Sequence, residues 1–225
     1  MSDAAAAACP GLWAGIRTAL RANLLPGIGL WLLGVVVVGA YFAWPAARPV
    51  FNQVAAWKAQ WGFAFSIIIT AGFGGALPWL LARLLGRPMP LSHGLVVVGL
   101  CAYRGFEVDA FYRFQGWLFG NHADVATVVA KVVVDELGYS ALWAMPTTLV
   151  VFAWRDRGCS LRAWREAWRL ETILPQLPAV VLCNIMVWTP VITLVYSLPA
   201  DLQIPLFALA ATFWMMVLLV MTGKT

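Results

Sequence analysis

The amino-acid sequence predicts an all-α, polytopic integral membrane protein with about six transmembrane helices in one bundle. Hydrophobic residues make up 62% of its 225 residues and charged residues only 11%, whereas soluble domains contain about 45–50% and 25%. Six apolar segments are also long enough to cross a hydrocarbon layer of about 30 Å. This composition excludes a soluble enzyme, a disordered chain and a secreted disulfide scaffold.

The six predicted spans differ in how many charged residues they carry. The first, second, fifth and sixth hold at most one each, the third holds four and the fourth holds three. Outside the spans, Ser160 is predicted to cap an amphipathic helix with Leu161, Trp164 and Trp168 on one face. The predicted spans are residues 24–44, 63–85, 91–119, 125–154, 173–196 and 202–221.

The sequence divides into two parts at residue 59. Residues 1–59 are predicted to form an amphipathic segment, an additional transmembrane helix and an outer loop. Residues 60–222 are predicted to form the main membrane bundle, in which the third and fourth spans are joined by only five residues.

The distribution of lysine and arginine predicts the orientation of the bundle. Ten of these residues fall in loops and termini on one side, against Arg48 and Lys58 on the other. The positive-inside rule then places both termini in the cytoplasm, which agrees with an even number of spans. The lack of a presequence with spread-out arginines favours a bacterial inner membrane over an organelle membrane. The ten residues are Arg17, Arg21, Arg83, Arg87, Arg155, Arg157, Arg162, Arg165, Arg169 and Lys224.

Charged residues inside the third and fourth spans are the strongest indication of function. On a helix, Arg104 and Glu107 lie about 60° apart, while Asp109 and Arg113 lie on nearly the opposite side. A helix facing lipid cannot keep both charged faces in hydrocarbon, so this span is either surrounded by protein and water or broken near Gly105. Together the two spans predict a polar cluster or cavity that contains Arg104, Glu107, Asp109, Arg113, Lys131, Asp135 and Glu136.

Two interpretations of this cluster stay open at the level of sequence. The ion pairs can lock neighbouring helices together, or they can line a path for a solute. A membrane-embedded enzyme is not expected, since no nucleophile–base motif, metal cluster or phosphate loop accompanies the carboxylates. No catalytic residue, metal ion or cofactor is therefore expected.

Several short motifs follow one another between residues 60 and 222, each occurring once. They are a glycine followed by an aromatic–tyrosine pair, a lysine four residues before an aspartate, and an asparagine four residues before a tryptophan. A proline that precedes a tryptophan by fifteen residues completes the set. The motif positions are Gly105, Phe111, Tyr112, Lys131, Asp135, Asn184, Trp188, Pro190, Pro199 and Trp214.

In this order and spacing, the chain resembles the Mpv-seventeen/peroxisomal membrane protein family. Phe106 stands where that family usually has proline, and Glu136 stands where it has glutamine. The resemblance implies an α-helical membrane protein, and several family members are described as non-selective pores for small solutes. The family has no established catalytic residues, and the first predicted span lies outside the resemblance.

Taken together, the sequence predicts a channel-like protein that carries small solutes through a polar cavity between the third and fourth helices. The presence of both charge signs favours selection by size over strong ion selectivity. The alternative is a structural or assembly protein of the membrane without transport activity. Expected partners are the lipid bilayer and small-molecule solutes, no nucleic acid is expected, and assembly into a homo-oligomer stays open.

Overall fold

A computed structural model describes residues 12–86 and 90–222, and all of its regular elements are helical. The all-α prediction is thereby confirmed for this part of the chain. Residues 1–11 of the predicted amphipathic segment, and the loop charges Arg87 and Lys224, lie outside the described residues. The helices are α1 (Leu12–Ala43), α2 (Arg48–Trp61), α3 (Phe63–Ile69), α4 (Leu77–Leu84), α5 (Leu91–Phe119), α6 (Val125–Val133), α7 (Met145–Asp156), α8 (Leu161–Ala167), α9 (Leu170–Ile173), α10 (Leu177–Tyr196) and α11 (Ala200–Thr222).

Two pairs of these helices are joined without a break by π-helical segments. Thr70–Ala76 connects α3 to α4, and Val134–Ala144 connects α6 to α7. π-Helical turns are rare and are frequently found at functional sites. Both segments face α5, and the second carries two of the charged residues singled out from the sequence, Asp135 and Glu136.

Three helices in the described residues are long and apolar enough to cross a membrane. They span Ile16–Ala43, Phe63–Leu84 and Leu177–Tyr196, and α11 contains a shorter apolar stretch. On α1, the side chains of Leu25 and Val36 are 77% and 67% exposed. Surfaces of this kind are unfavourable in water and are typical of helices that contact lipid.

The first helix packs along α10 inside the bundle. Gly27 and Gly34 allow the close approach, since a Cβ atom at these positions would lie 3.3 Å from Val187 and 2.8 Å from Leu194. The indole nitrogen of Trp31 donates a hydrogen bond of 2.7 Å to the carbonyl oxygen of Val187. This additional helix is therefore an integral wall of the bundle.

At one end of the bundle, the short helix α8 begins at a cap that the sequence predicts. The hydroxyl oxygen of Ser160 accepts a hydrogen bond of 3.1 Å from the backbone N–H of Ala163. On the exposed side of α8, Arg162 donates a hydrogen bond to Glu166, which holds the pKa of that carboxyl below its ordinary value. The rings of Trp164 and Trp168 lie 5.9 Å apart between centroids.

Helix α5 is unbroken from Leu91 to Phe119 and crosses the α3–α4 helix at Gly105. A Cβ atom at Gly105 would lie 2.3 Å from the carbonyl oxygen of Ser66 and 3.0 Å from the Cβ atom of Thr70. Glycine is thus required by the close approach of two backbones. A break near Gly105 was one of two possibilities at the level of sequence, and the structure shows a continuous helix there.

We predict that Gly105→Ala destabilises the protein by about 1–3 kcal/mol, because the added methyl group forces two backbones apart. The control is Gly99→Ala in the same helix, where a Cβ atom would meet no other atom within 4 Å. That substitution should be neutral or stabilising by about 0.5–1 kcal/mol. Thermal unfolding in detergent micelles measures both, and equal unfolding temperatures for the two variants would contradict the packing at Gly105.

Candidate functional site

The charged residues predicted from the sequence form three groups along the bundle. The first group surrounds Asp109 in the C-terminal half of α5. Its carboxylate accepts hydrogen bonds of 2.7 Å from Lys58 and Ser66, and of 3.0 Å from Nε of Arg113. The side chains of Lys58 and Asp109 are 3% and 4% exposed, whereas that of Arg113 is 54% exposed. Lys58 and Asp109 are therefore a buried ion pair that joins α2 to α5.

The second group is centred on Arg104 and Glu107, which form an ion pair on α5. The carboxylate of Glu107 also accepts hydrogen bonds from the hydroxyl groups of Tyr103 and Tyr139 and from the indole of Trp143. These partners come from α5 itself and from the second π-helical segment, so Glu107 holds the two elements together.

Arg104 extends this group to α7. Its Nη2 atom donates hydrogen bonds of 2.6 Å to the carbonyl oxygen of Ala144 and to the hydroxyl of Thr147, and of 3.0 Å to the hydroxyl of Thr148. The Ala144 carbonyl lies where the π-helical segment passes into α7. A guanidinium has five N–H donors, so it can bind Glu107 on its own helix and these acceptors on a neighbouring helix at the same time.

The third group lies on the second π-helical segment and faces α10. The hydroxyl of Tyr196 donates a hydrogen bond of 2.6 Å to Asp135 and accepts one of 2.8 Å from Gln115. The side-chain amide of Asn184 donates a hydrogen bond of 3.0 Å to Glu136. Asp135, Glu136 and Gln115 are buried, and Asn184 is partly buried.

Lys131 does not pair with Asp135, although their spacing places them on one face of a regular helix. The helix widens to π geometry from Val134 onwards, and Asp135 is directed to Tyr196. Within the described residues, the ammonium group of Lys131 lies 5.5 Å from the centroid of the Tyr196 ring, which is a cation–π contact.

A central cavity of about 500 Å³ lies inside the bundle. Its walls come from α1, the α3–α4 helix, α5, the α6–α7 helix, α10 and α11, and most of the lining side chains are apolar or aromatic. It extends from Tyr112, in the middle of the core, to Phe152 and Ala179 at the end of the bundle beside α8. Its polar lining includes Asn23, Arg104, Asp135, Ser140, Thr148 and Asn184.

A second cavity, which we call the Lys58 pocket, lies at the opposite end of the bundle. It measures about 490 Å³ and lies between the ends of α2 and α5 and the start of α11. The first charged group supplies much of its wall. Its polar lining consists of Lys58, Asp109, Arg113, Asn121, Asp201 and Gln203.

The seven predicted charged residues are thus divided between the two cavities and the helix contacts. Arg104 and Asp135 line the central cavity, and Asp109 and Arg113 line the Lys58 pocket. The other three, Glu107, Lys131 and Glu136, line neither of them.

The residues of the motifs that carry the family resemblance lie in different parts of the bundle. Five of them line the central cavity, and Phe111 stacks on Tyr139 with 4.6 Å between ring centroids. Pro190 lies inside α10, and the carbonyl oxygen of Pro199 accepts the hydrogen bond that starts α11. The five cavity-lining motif residues are Tyr112, Asp135, Asn184, Trp188 and Trp214.

Sequence reasoning missed several residues that complete these groups. Lys58 was placed in an outer loop, yet it is the buried partner of Asp109. Ser66, Gln115 and Tyr196 carried no signal, since each lies in a run of mostly apolar residues. The rarity of basic residues on the outer side is the one signal that could have drawn attention to Lys58.

No family model, curated protein or solved structure matches this chain. In the part of the chain that the structure describes, no three histidine, cysteine, aspartate or glutamate side chains form a group that could hold a metal ion. What the site can do is therefore inferred from the geometry of its cavities and polar groups.

We predict that Asp109→Ala destabilises the protein by about 3–5 kcal/mol, because it leaves the buried ammonium of Lys58 without a counter-charge. The matched control is Arg113→Gln, which removes the half-exposed partner of the same carboxylate and should cost about 1 kcal/mol or less. Chemical denaturation in detergent measures both. The double variant Lys58→Met, Asp109→Leu should regain most of the loss, and a double variant no more stable than Asp109→Ala would argue against a buried pair.

We also predict that Asp135→Ala is tolerated less well than Glu136→Gln. The first substitution removes the acceptor of the buried Tyr196 hydroxyl, at a cost of about 1–3 kcal/mol. The second keeps a carbonyl oxygen that can accept the hydrogen bond from Asn184, so its effect should stay below about 1 kcal/mol. The yield of monodisperse protein and its unfolding temperature provide the comparison, and an equal loss in both variants would contradict this assignment.

Proposed function

We propose that this chain is a channel-like membrane protein that carries small solutes through the inside of its helical bundle. The observation that carries the proposal is the pair of cavities, about 500 and 490 Å³, that occupy opposite ends of the same bundle. Each has the volume of a typical small-molecule site, which is about 300–1,000 Å³. A path along the bundle axis needs only the short region between them to open.

The charges around the path favour selection by size. Arg104 is paired with Glu107, and Asp109 is paired with Lys58 and Arg113, so neither cavity presents a ring of one charge sign. Ion-selective pores use rings of a single sign or a single kind of dipole. We therefore expect small uncharged or zwitterionic solutes to pass more readily than ions.

In this proposal the protein crosses the membrane six times, through α1, α3–α4, α5, α6–α7, α10 and α11. The charges on α5 and α6–α7 are compatible with a membrane, since they face protein partners and cavities. The arginines around α8 then lie on the cytoplasmic side with both termini, and the Lys58 pocket lies on the outer side. A bacterial inner membrane, and a distant relationship to the Mpv-seventeen/peroxisomal membrane protein family, are parts of the same proposal.

The second candidate is a structural or assembly protein of the membrane without transport activity. It is favoured by the completeness of the Arg104–Glu107 group, in which each charged side chain is bound to several neighbours. Networks of this kind can serve only to hold helices in register. The exposed apolar surfaces of the bundle would then contact partner proteins or further copies of the chain.

Transport can be tested by solute release from proteoliposomes. We expect flux of small uncharged solutes that falls with increasing solute size and that a bulky thiol reagent on Cys183 reduces, because this residue lines the central cavity. The protein for this test carries Cys9→Ser, Cys101→Ser and Cys159→Ser, so Cys183 is the single thiol. The control adds Cys183→Ser and should be insensitive to the reagent. Absence of flux from folded, incorporated wild-type protein would favour the structural role.

A further inference from the structure

Tyr112 separates the two cavities. Among the described residues it is the single one that lines both the central cavity and the Lys58 pocket. Tyr112 is only 6% exposed, so it is buried within the bundle. We propose that Tyr112 is the gate of the solute path and that rotation of its side chain joins the two cavities. This inference rests on the proposed transport function.

The ring of Tyr112 is held by aromatic neighbours on two other helices. Its centroid lies 5.1 Å from that of Tyr196 on α10 and 6.4 Å from that of Phe207 on α11. Aromatic contacts of this kind, tilted or edge-to-face, bury apolar surface and exclude water while the ring stays in place. The closed barrier is therefore made of three rings from three helices.

The two tyrosines of this barrier differ in how they are anchored. The hydroxyl of Tyr196 is fixed by Asp135 and Gln115, at 2.6 and 2.8 Å. The hydroxyl of Tyr112 is buried and has no hydrogen-bond partner in the described part of the chain. Rotation of Tyr112 consequently breaks no hydrogen bond, whereas rotation of Tyr196 breaks two.

An unpaired buried hydroxyl also makes the closed position less favourable than it would be for phenylalanine. When the ring of Tyr112 rotates into the central cavity, its hydroxyl can reach water or the polar groups of the cavity wall. The cavity of about 500 Å³ on that side has room for the ring. The hydroxyl is thus unpaired in the closed position and can be hydrogen-bonded in the open one. This lowers the free energy of the open position relative to the closed one, so that a minor open state can be populated.

The central cavity contains a native reporter for this opening, the thiol of Cys183. The Cys183-only protein described above is placed in vesicles of known orientation, and a charged, membrane-impermeant thiol reagent is added on the side of the Lys58 pocket. Tyr112→Ala should raise the labelling rate about tenfold or more, because a minor open state of such an equilibrium holds about 0.1–10% of the molecules. Solute flux should rise in the same variant.

Tyr112→Phe tests the role of the hydroxyl without removing the ring. It should lower both labelling and flux, since the closed position no longer buries an unpaired polar group. The matched control is Phe114→Ala, which removes an exposed ring of the same helix that lines neither cavity and should leave both rates at the wild-type level. Labelling from the α8 side checks that Cys183 is equally reactive in every variant.

The outcomes separate the gate from the transport function. Unchanged labelling in Tyr112→Ala, with size-limited flux intact, would overturn the gate and leave the proposed function standing. Increased labelling in Tyr112→Ala without flux in any variant would support Tyr112 as the barrier and overturn transport. A Tyr112→Phe protein that labels as fast as wild type would overturn the role of the unpaired hydroxyl, and this variant remains informative if Tyr112→Ala does not fold.

Discussion

The charged side chains of α5 that are buried in the bundle need partners inside the protein, because a buried charge without a counter-charge or hydrogen bonds is strongly unfavourable. Asp109 is bound to Lys58 and Ser66, which attaches α2 and α3 to the C-terminal half of the helix. Arg104 is bound to the carbonyl of Ala144 and to Thr148, which attaches the second π-helical segment and α7. The hydrogen bonds and ion pairs of the charged side chains of α5 thus help to position four other elements.

The π-helical segments are the local means by which these partners are reached. Each widened turn rotates the following residues relative to a regular helix and shifts the side chains that face α5 and α10. In the second segment this directs Asp135 to Tyr196 and Glu136 to Asn184, with Lys131 left against the ring of Tyr196. The same segment contributes Asp135, Tyr139, Ser140 and Ala144 to the wall of the central cavity. One backbone irregularity thus takes part both in the packing of polar groups and in the wall of the cavity.

Most helices could be predicted from the sequence, because long apolar runs and capping residues are local signals. The predicted third span coincides with α5, and Ser160 caps α8 as expected. Partner choice could not be predicted in the same way. Lys58 and Asp109 are 51 residues apart, and Tyr196 and Asp135 are 61 apart. A helical period of 3.6 residues indicates which side chains share a face, but not which other helix that face meets.

By itself, the sequence determined that the described chain is helical and rich in lipid-compatible surface, and that its charges are concentrated on α5 and α6–α7. It did so because composition, apolar run length and the positions of ionisable residues are properties of the chain alone. Only the tertiary structure decided that these charges form three separate groups, that Lys58 completes the first, and that Tyr112 stands between two cavities. Those features depend on helix rotation, on the two π-helical segments and on close approaches such as that at Gly105, and each arises only when distant segments pack together.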